Sequence, residues 1–213
     1  MSGLLDKHDT RTRPHLSVGT ERFRRRGRPI APQQPVRVDG LRFRHGDDIF
    51  RVQGVTYGPF APADDGTQFP LAKRVGEDFL QMGIAGINAV RVYHPPPRWL
   101  LDIAEEQGLS IFIDIPWSKH LCFLNSHNAQ REAREAVRSA INAGESAASV
   151  LAYTMGNEVP ADVVRWHGSR PIERFLRELA DVAKQTDPHR LITYSNFPPT
   201  EYLDLSFADF VTF

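Results

Sequence analysis

Cysteine is nearly absent: Cys122 is the single one in 213 residues. No internal disulfide can staple the fold, so its stability must come from a packed core; the count neither requires nor excludes an oxidising compartment. Long apolar runs are also missing. None reaches the roughly 18 residues needed to span a bilayer. The N-terminal arginines are followed by no apolar stretch of the secretory kind, which makes a cytoplasmic location the default expectation. Net charge is lacking too: Lys+Arg 26 balances Asp+Glu 26, so no bulk attraction to nucleic acid is expected. No Gly-x-Gly-x-x-Gly follows the first strand pattern, which leaves a dinucleotide cofactor without support. His120, Cys122 and His127 stand close together, but His-x-Cys-x4-His is not a recognised metal-ligand spacing, and a lone cysteine does not establish a nucleophile. Neither metal nor cofactor is expected.

What is present divides in two. Residues 1–35 carry seven arginines (Arg11, Arg13, Arg22, Arg24, Arg25, Arg26 and Arg28) among four prolines, with few large apolar residues. That composition predicts a disordered, solvated arm. A nucleic-acid-binding tail is the sharper alternative, disfavoured because Phe23 alone among the arginines does not make an interleaved stacking platform. From residue 36 to 213 the chain has the apolar content of one globular domain with a sizeable core. Val36, Val38, Leu41 and Phe43 flank the turn pair Asp39-Gly40 and predict a short β-hairpin over residues 36–50. Strand patterns follow at about 50–57, 87–93, 109–115, 150–157, 190–195 and 209–213. Between them lie helical patterns. Leu71, Val75, Phe79 and Met82 mark one apolar face. A second helix runs over 98–107 behind Pro97, a third over 129–143, and a fourth is opened by Pro171. Residues 160–168 read as a loop. Alternation of strand and helix favours a parallel sheet with right-handed crossovers, closed as a barrel or left as an open doubly wound sheet.

The stretch that organises the chain is Val150-Leu-Ala-Tyr-Thr-Met-Gly-Asn-Glu158. Its apolar run suits a strand buried on both faces, and Asn157 and Glu158 fall where that strand meets its loop. In a parallel α/β barrel this C-terminal end carries the chemistry. The motif Gly156-Asn157-Glu158-Val159-Pro160 resembles the end of the fourth strand in the glycoside hydrolase clan of (β/α)8 TIM barrels, which includes the family 2 β-galactosidase- and β-glucuronidase-like enzymes. Other elements fall in the same order: Gly54-Val55-Thr56-Tyr57 on strand one; Asn88, Arg91, His94 and Pro95 on strand two; Gly108-Leu109 with Asp114 on strand three; and Asp187-Pro188-His189-Arg190 before strand five. The resemblance covers residues 36–213.

It implies a retaining glycosidase that acts on a β-glycoside or polysaccharide with two carboxylates about 5–5.5 Å apart. Glu158 would be the general acid/base. Asn157 would bind the sugar 2-hydroxyl, and Arg91 would orient the nucleophile through charge-assisted hydrogen bonds. His94, Trp117 and Tyr194 are lesser candidates for lining the sugar subsite, and Trp117 reads equally well as a packing residue. Carbohydrate is the implied partner. The clan's nucleophile is a glutamate at the end of strand seven, and the pattern here runs through six strands. The expectation is therefore an incomplete barrel, inactive alone, with further domains C-terminal to residue 213. A non-catalytic barrel-derived module that binds carbohydrate or protein is the alternative.

Overall fold

A computed structural model describes residues 35–63 and 66–213. The predicted arm lies outside the described residues except for Pro35. The hairpin region is a three-stranded antiparallel sheet of β1 (Arg37–Asp39), β2 (Arg42–His45) and β3 (Asp48–Phe50). Both turns place glycine in left-handed conformation, Gly40 at φ 59° and Gly46 at φ 60°, which L side chains adopt only at a cost. Ile49 and Phe50 close the predicted hairpin region, and Phe50, where the hairpin and the first strand pattern overlap, belongs to this sheet. They pair with Arg44 and Phe43, because the second turn folds them back on β2.

The parallel sheet follows, with β4 (Gly54–Thr56), β5 (Ala89–Val92), β6 (Ser110–Asp114), β7 (Val150–Asn157) and β8 (Leu191–Ser195) hydrogen-bonded in sequential order. The helices are α1 (Ala72–Ile84), α2 (Arg98–Glu106), α3 (His127–Ala143), α4 (Ala161–His167) and α5 (Ser169–Thr186). All eight residues of β7 except Asn157 are buried, as expected of a strand covered on both faces. Helix α1 buries Val75 and Phe79, both fully shielded, each contributing about 1.5–3 kcal/mol by removal from water. Ser126 caps α3 by accepting from the Ala129 amide at 3.2 Å, which satisfies one of the free N–H groups of its first turn. The small antiparallel sheet packs its apolar side, Val38, Phe43 and Phe50, against Leu151 and Leu191 at the starts of β7 and β8. It therefore lies against the N-terminal end of the parallel sheet, opposite the strand ends that carry Asn157 and Glu158.

Two sequence expectations are corrected. The loop predicted over residues 160–168 contains α4, with Val163 and Val164 buried. The sixth strand is reduced to a single bridge, Ser195 to Thr212, tied by the Ser195 Oγ and Thr212 Oγ1 hydroxyls at 2.9 Å. Asp209 ends this segment against β8, accepting from Lys184 Nζ and from the Ile192 amide, each at 2.7 Å. The sheet is thus an incomplete α/β barrel. A cavity of about 240 Å³ opens its inner side between Val55, Ala89, Phe112 and Phe213, and Val55 and Phe213 are exposed there.

Two buried tyrosines predict an alkaline weakness. Burial pushes the phenols of Tyr153 and Tyr194 up from 10.0 to about 12. A raised value means that the folded state holds the proton more tightly than the unfolded chain does. The stability this confers is complete below pH 10 and is lost as pH rises through about 12. Urea unfolding at pH 8, 10 and 11.5 should show a falling midpoint only above pH 10; a midpoint flat to pH 11.5 would contradict the burial.

Candidate active site

The site is assembled around one guanidinium. Arg91 lies on β5, between the fully buried Val90 and Val92, and its side chain turns toward the sheet's C-terminal end. Its Nε donates to Asp114 Oδ1 at 3.1 Å and its Nη2 to Asp114 Oδ2 at 2.7 Å. This is the two-pronged pairing for which arginine is built. Asp114, the last residue of β6, is only 3% exposed, so its charge is compensated within the protein rather than by water. The same Nη2 donates to Asn157 Oδ1 at 2.9 Å and to Ser195 Oγ at 3.0 Å. Arg91 therefore links the ends of four neighbouring strands, β5 to β8. Tyr93 lies beneath it, with the guanidinium 5.4 Å from the ring centroid, within cation–π range.

Asn157 presents its carbonyl oxygen to Arg91. Its amide NH2 has no protein partner among the described residues, which leaves two donors for a ligand. Glu158 follows in left-handed conformation at φ 54°, costly for a residue with a Cβ. Its amide donates to the Ser195 carbonyl at 2.9 Å, so the backbone is held while the side chain stands exposed. The next amide, Val159, donates to Tyr194 Oη at 2.8 Å. Just before the pair, Gly156 faces Trp117 so closely that an added Cβ would stand 3.1 Å from the indole nitrogen. That indole donates to the Met155 carbonyl at 2.8 Å. Its ring packs edge-on against Phe123, with centroids 4.9 Å apart.

Not every predicted site residue falls here. A cavity of about 170 Å³ is lined by Tyr93, Asp114, Trp117, Lys119, His120 and Asn157 among others. Trp117 therefore serves both packing and cavity wall. Tyr194 is fully buried and spends its hydroxyl on the Val159 amide; it does not line a sugar subsite but fixes the loop that carries Glu158. Of the residues that follow it, Ser195 reaches Arg91, whereas Asn196 is buried and bonded to Thr200. His94 is half-buried and lies outside the cavity lining, a place taken by Tyr93. Asn88 is structural: it accepts from the Gln53 amide at 2.8 Å and donates to the Arg51 carbonyl at 2.7 Å, clamping the segment that enters β4. Sequence reasoning passed over Tyr93 and Lys119. Their only signal was position, at or just after the C-terminal ends of predicted strands. No group of three or more metal-ligating side chains gathers among the described residues, and Cys122 is free and exposed.

Comparison with known proteins identifies the barrel to which these strands belong. The family model for the TIM barrel domain of family 2 glycosyl hydrolases matches residues 61–212. The chain belongs to that family. The match begins after β4, so the hairpin and the first barrel strand stand outside it. Among solved structures, the chain is similar to a Ruminococcus gnavus β-glucuronidase in complex with D-glucuronic acid, at TM-score 0.69 and 17% identity over 84% of this chain and 30% of that one. It is similar to a Parabacteroides merdae β-glucuronidase with glycerol in its active site, at TM-score 0.63 and 18% identity over 76% of this chain and 20% of that one. A Bacteroides uniformis β-glucuronidase covalently bound to a cyclophellitol-6-carboxylate aziridine gives TM-score 0.63 and 20% identity, over 77% of this chain and 20% of that one. The family 2 chain thus spans a fifth to a third of the length of these structures. A search of curated protein sequences finds no match. No helix among the described residues is long and apolar enough to cross a membrane.

Proposed function

We propose that this family 2 barrel provides the proton-donor half of a retaining glycosidase site acting on β-glycosides. The observation that carries this reading is the Asn157–Glu158 pair at the C-terminal end of β7, with Asn157 held by the same guanidinium that neutralises Asp114. In the proposed reaction Glu158 delivers a proton to the glycosidic oxygen as the bond to the anomeric carbon breaks. A second carboxylate attacks that carbon and forms the glycosyl ester. Glu158, now ionised, takes a proton from water, whose oxygen displaces the carboxylate and restores both groups. Asn157 contributes its free amide NH2 to the 2-hydroxyl, a bond that tightens as positive charge develops on the ring. Retention requires that second carboxylate to face Glu158 across the bound sugar, about 5–5.5 Å away.

The test is the anomer released. In the closed barrel, NMR of aryl β-glycoside hydrolysis should show the β-anomer first, followed by mutarotation. Release of the α-anomer would replace retention by inversion. The exposed inner side around Val55 and Phe213 favours the second reading, a non-catalytic binding module. Saturable sugar binding without turnover in the closed barrel would support it.

A further inference from the structure

The surface beyond Glu158 carries charges that the fold leaves unpaired. Helix α4 follows β7 closely and buries Val163 and Val164, so Arg165 and Trp166 fall on its outer side. Both are exposed, Trp166 at 71%. Gly168 alone separates α4 from α5. On α5 the buried residues Ile172, Phe175, Leu176 and Leu179 mark the inward face. Arg170 and Arg174, one turn apart, stand on the opposite, exposed side. Trp166 and Arg170 are four residues apart, so their Cα atoms lie within about 14 Å of each other. Helix α4 also packs against the turn Pro198–Thr200, just past which Tyr202 is exposed. Three arginines and two aromatic rings thus crowd one stretch of surface.

None of the three arginines makes an ion pair, hydrogen bond or ring contact among the described residues. The carboxylates nearest in sequence are held elsewhere. Asp162 accepts from the Val163 amide at 3.0 Å, Glu173 from the Asp204 amide at 3.1 Å and Glu178 from Arg134 at 2.6 Å. Helix stability does not ask for these cations either. Arg170 stands in the first turn of α5, where the helix dipole opposes a positive charge, and that turn has no acidic residue to offset it. Cations and indole together match one kind of partner. Trp and Tyr settle where the headgroups of a bilayer meet its acyl chains, and arginines beside them pair with anionic headgroups. A nucleic acid fits less well, because single strands stack on successive rings along a charged groove, and the charges of this chain balance overall. No described helix is long and apolar enough to cross a membrane, so an attachment through this face is peripheral.

We propose that this face docks on an anionic lipid surface, with Arg165, Arg170 and Arg174 on headgroup phosphates and Trp166 seated beside them at the headgroup boundary. The docking needs no glycosidase activity. The full chain should be sedimented at low salt with vesicles of phosphatidylglycerol and, separately, of phosphatidylcholine. Its tryptophan emission should be followed with brominated acyl chains as quencher. Binding to phosphatidylglycerol alone is expected, with a blue shift and a quenching that Trp166→Ala abolishes. Each arginine near an anionic surface contributes about fivefold in affinity, so Arg165→Gln, Arg170→Gln and Arg174→Gln together should weaken partition about a hundredfold. These side chains are exposed and unpaired, so circular dichroism and the thermal midpoint should not change. Residues 1–35 add arginines but no tryptophan, so the quenching reports this face and not the arm. Failure to bind either vesicle, equal binding to both, or sedimentation without quenching would overturn the proposal. So would a partition undiminished in the triple variant, or capture of single-stranded DNA or polyglutamate with vesicles left unbound.

Discussion

Arg91→Met is expected to destabilise the chain by about 3 kcal/mol, read as a lower urea midpoint at pH 7 with an unchanged slope. Removing one partner of a buried ion pair costs about 3–5 kcal/mol, because the other charge is left without water or counter-charge. The lower end applies because the Arg91 side chain is 26% exposed, so water can partly replace the guanidinium, whereas the Asp114 side chain is 5% exposed. The loss reaches further than one pair, since Asn157 and Ser195 lose the same donor. The double variant Arg91→Met with Asp114→Leu should recover most of the stability, as two apolar side chains of similar bulk leave no orphaned charge. It should not recover the site, because Asn157 would still lack its anchor. A single variant as stable as the parent would mean that the guanidinium organises nothing.

Much of this architecture was legible because burial writes a periodic pattern. The run from Val150 to Met155 has the unbroken apolar character of a strand closed on both faces, and β7 forms there. The face of Val75 and Phe79 marked α1. Turn chemistry at Asp39-Gly40 marked the hairpin, whose register bears it out. The errors have physical causes. Phe50 falls in both the hairpin and the first strand pattern, and composition does not reveal which partner captures it; the turn at Gly46 decides. Helix α4 spans seven residues, too short for its two buried valines to make a period. Tyr194 alternates correctly along β8, but the hydrogen bond from the Val159 amide is a tertiary contact without local trace. Lys119 was illegible for the same reason: its place in the cavity wall is defined only by the fold.

The second large effect concerns Glu158. In the closed barrel, Glu158→Gln is expected to lower kcat/KM on alkyl β-glycosides by about 10²–10⁴, the usual contribution of a positioned general acid. Glutamine is nearly isosteric, so the left-handed backbone and the amide bond to Ser195 should persist and stability should hardly change. That pairing of lost rate with retained fold distinguishes a proton donor from a packing residue. The basic limb of the kcat/KM profile, where the acid form is titrated away, should disappear with it.

The most direct test of Glu158 as proton donor is kcat/KM against leaving-group pKa, for parent and Glu158→Gln side by side. An alkoxide-like leaving group needs a proton to depart, whereas an acidic phenol does not. The account predicts a steep dependence in the variant: large losses on alkyl and weakly acidic aryl glycosides and near-parent rates of glycosyl transfer from dinitrophenyl glycosides. An equal loss on every substrate, or none on any, would contradict it.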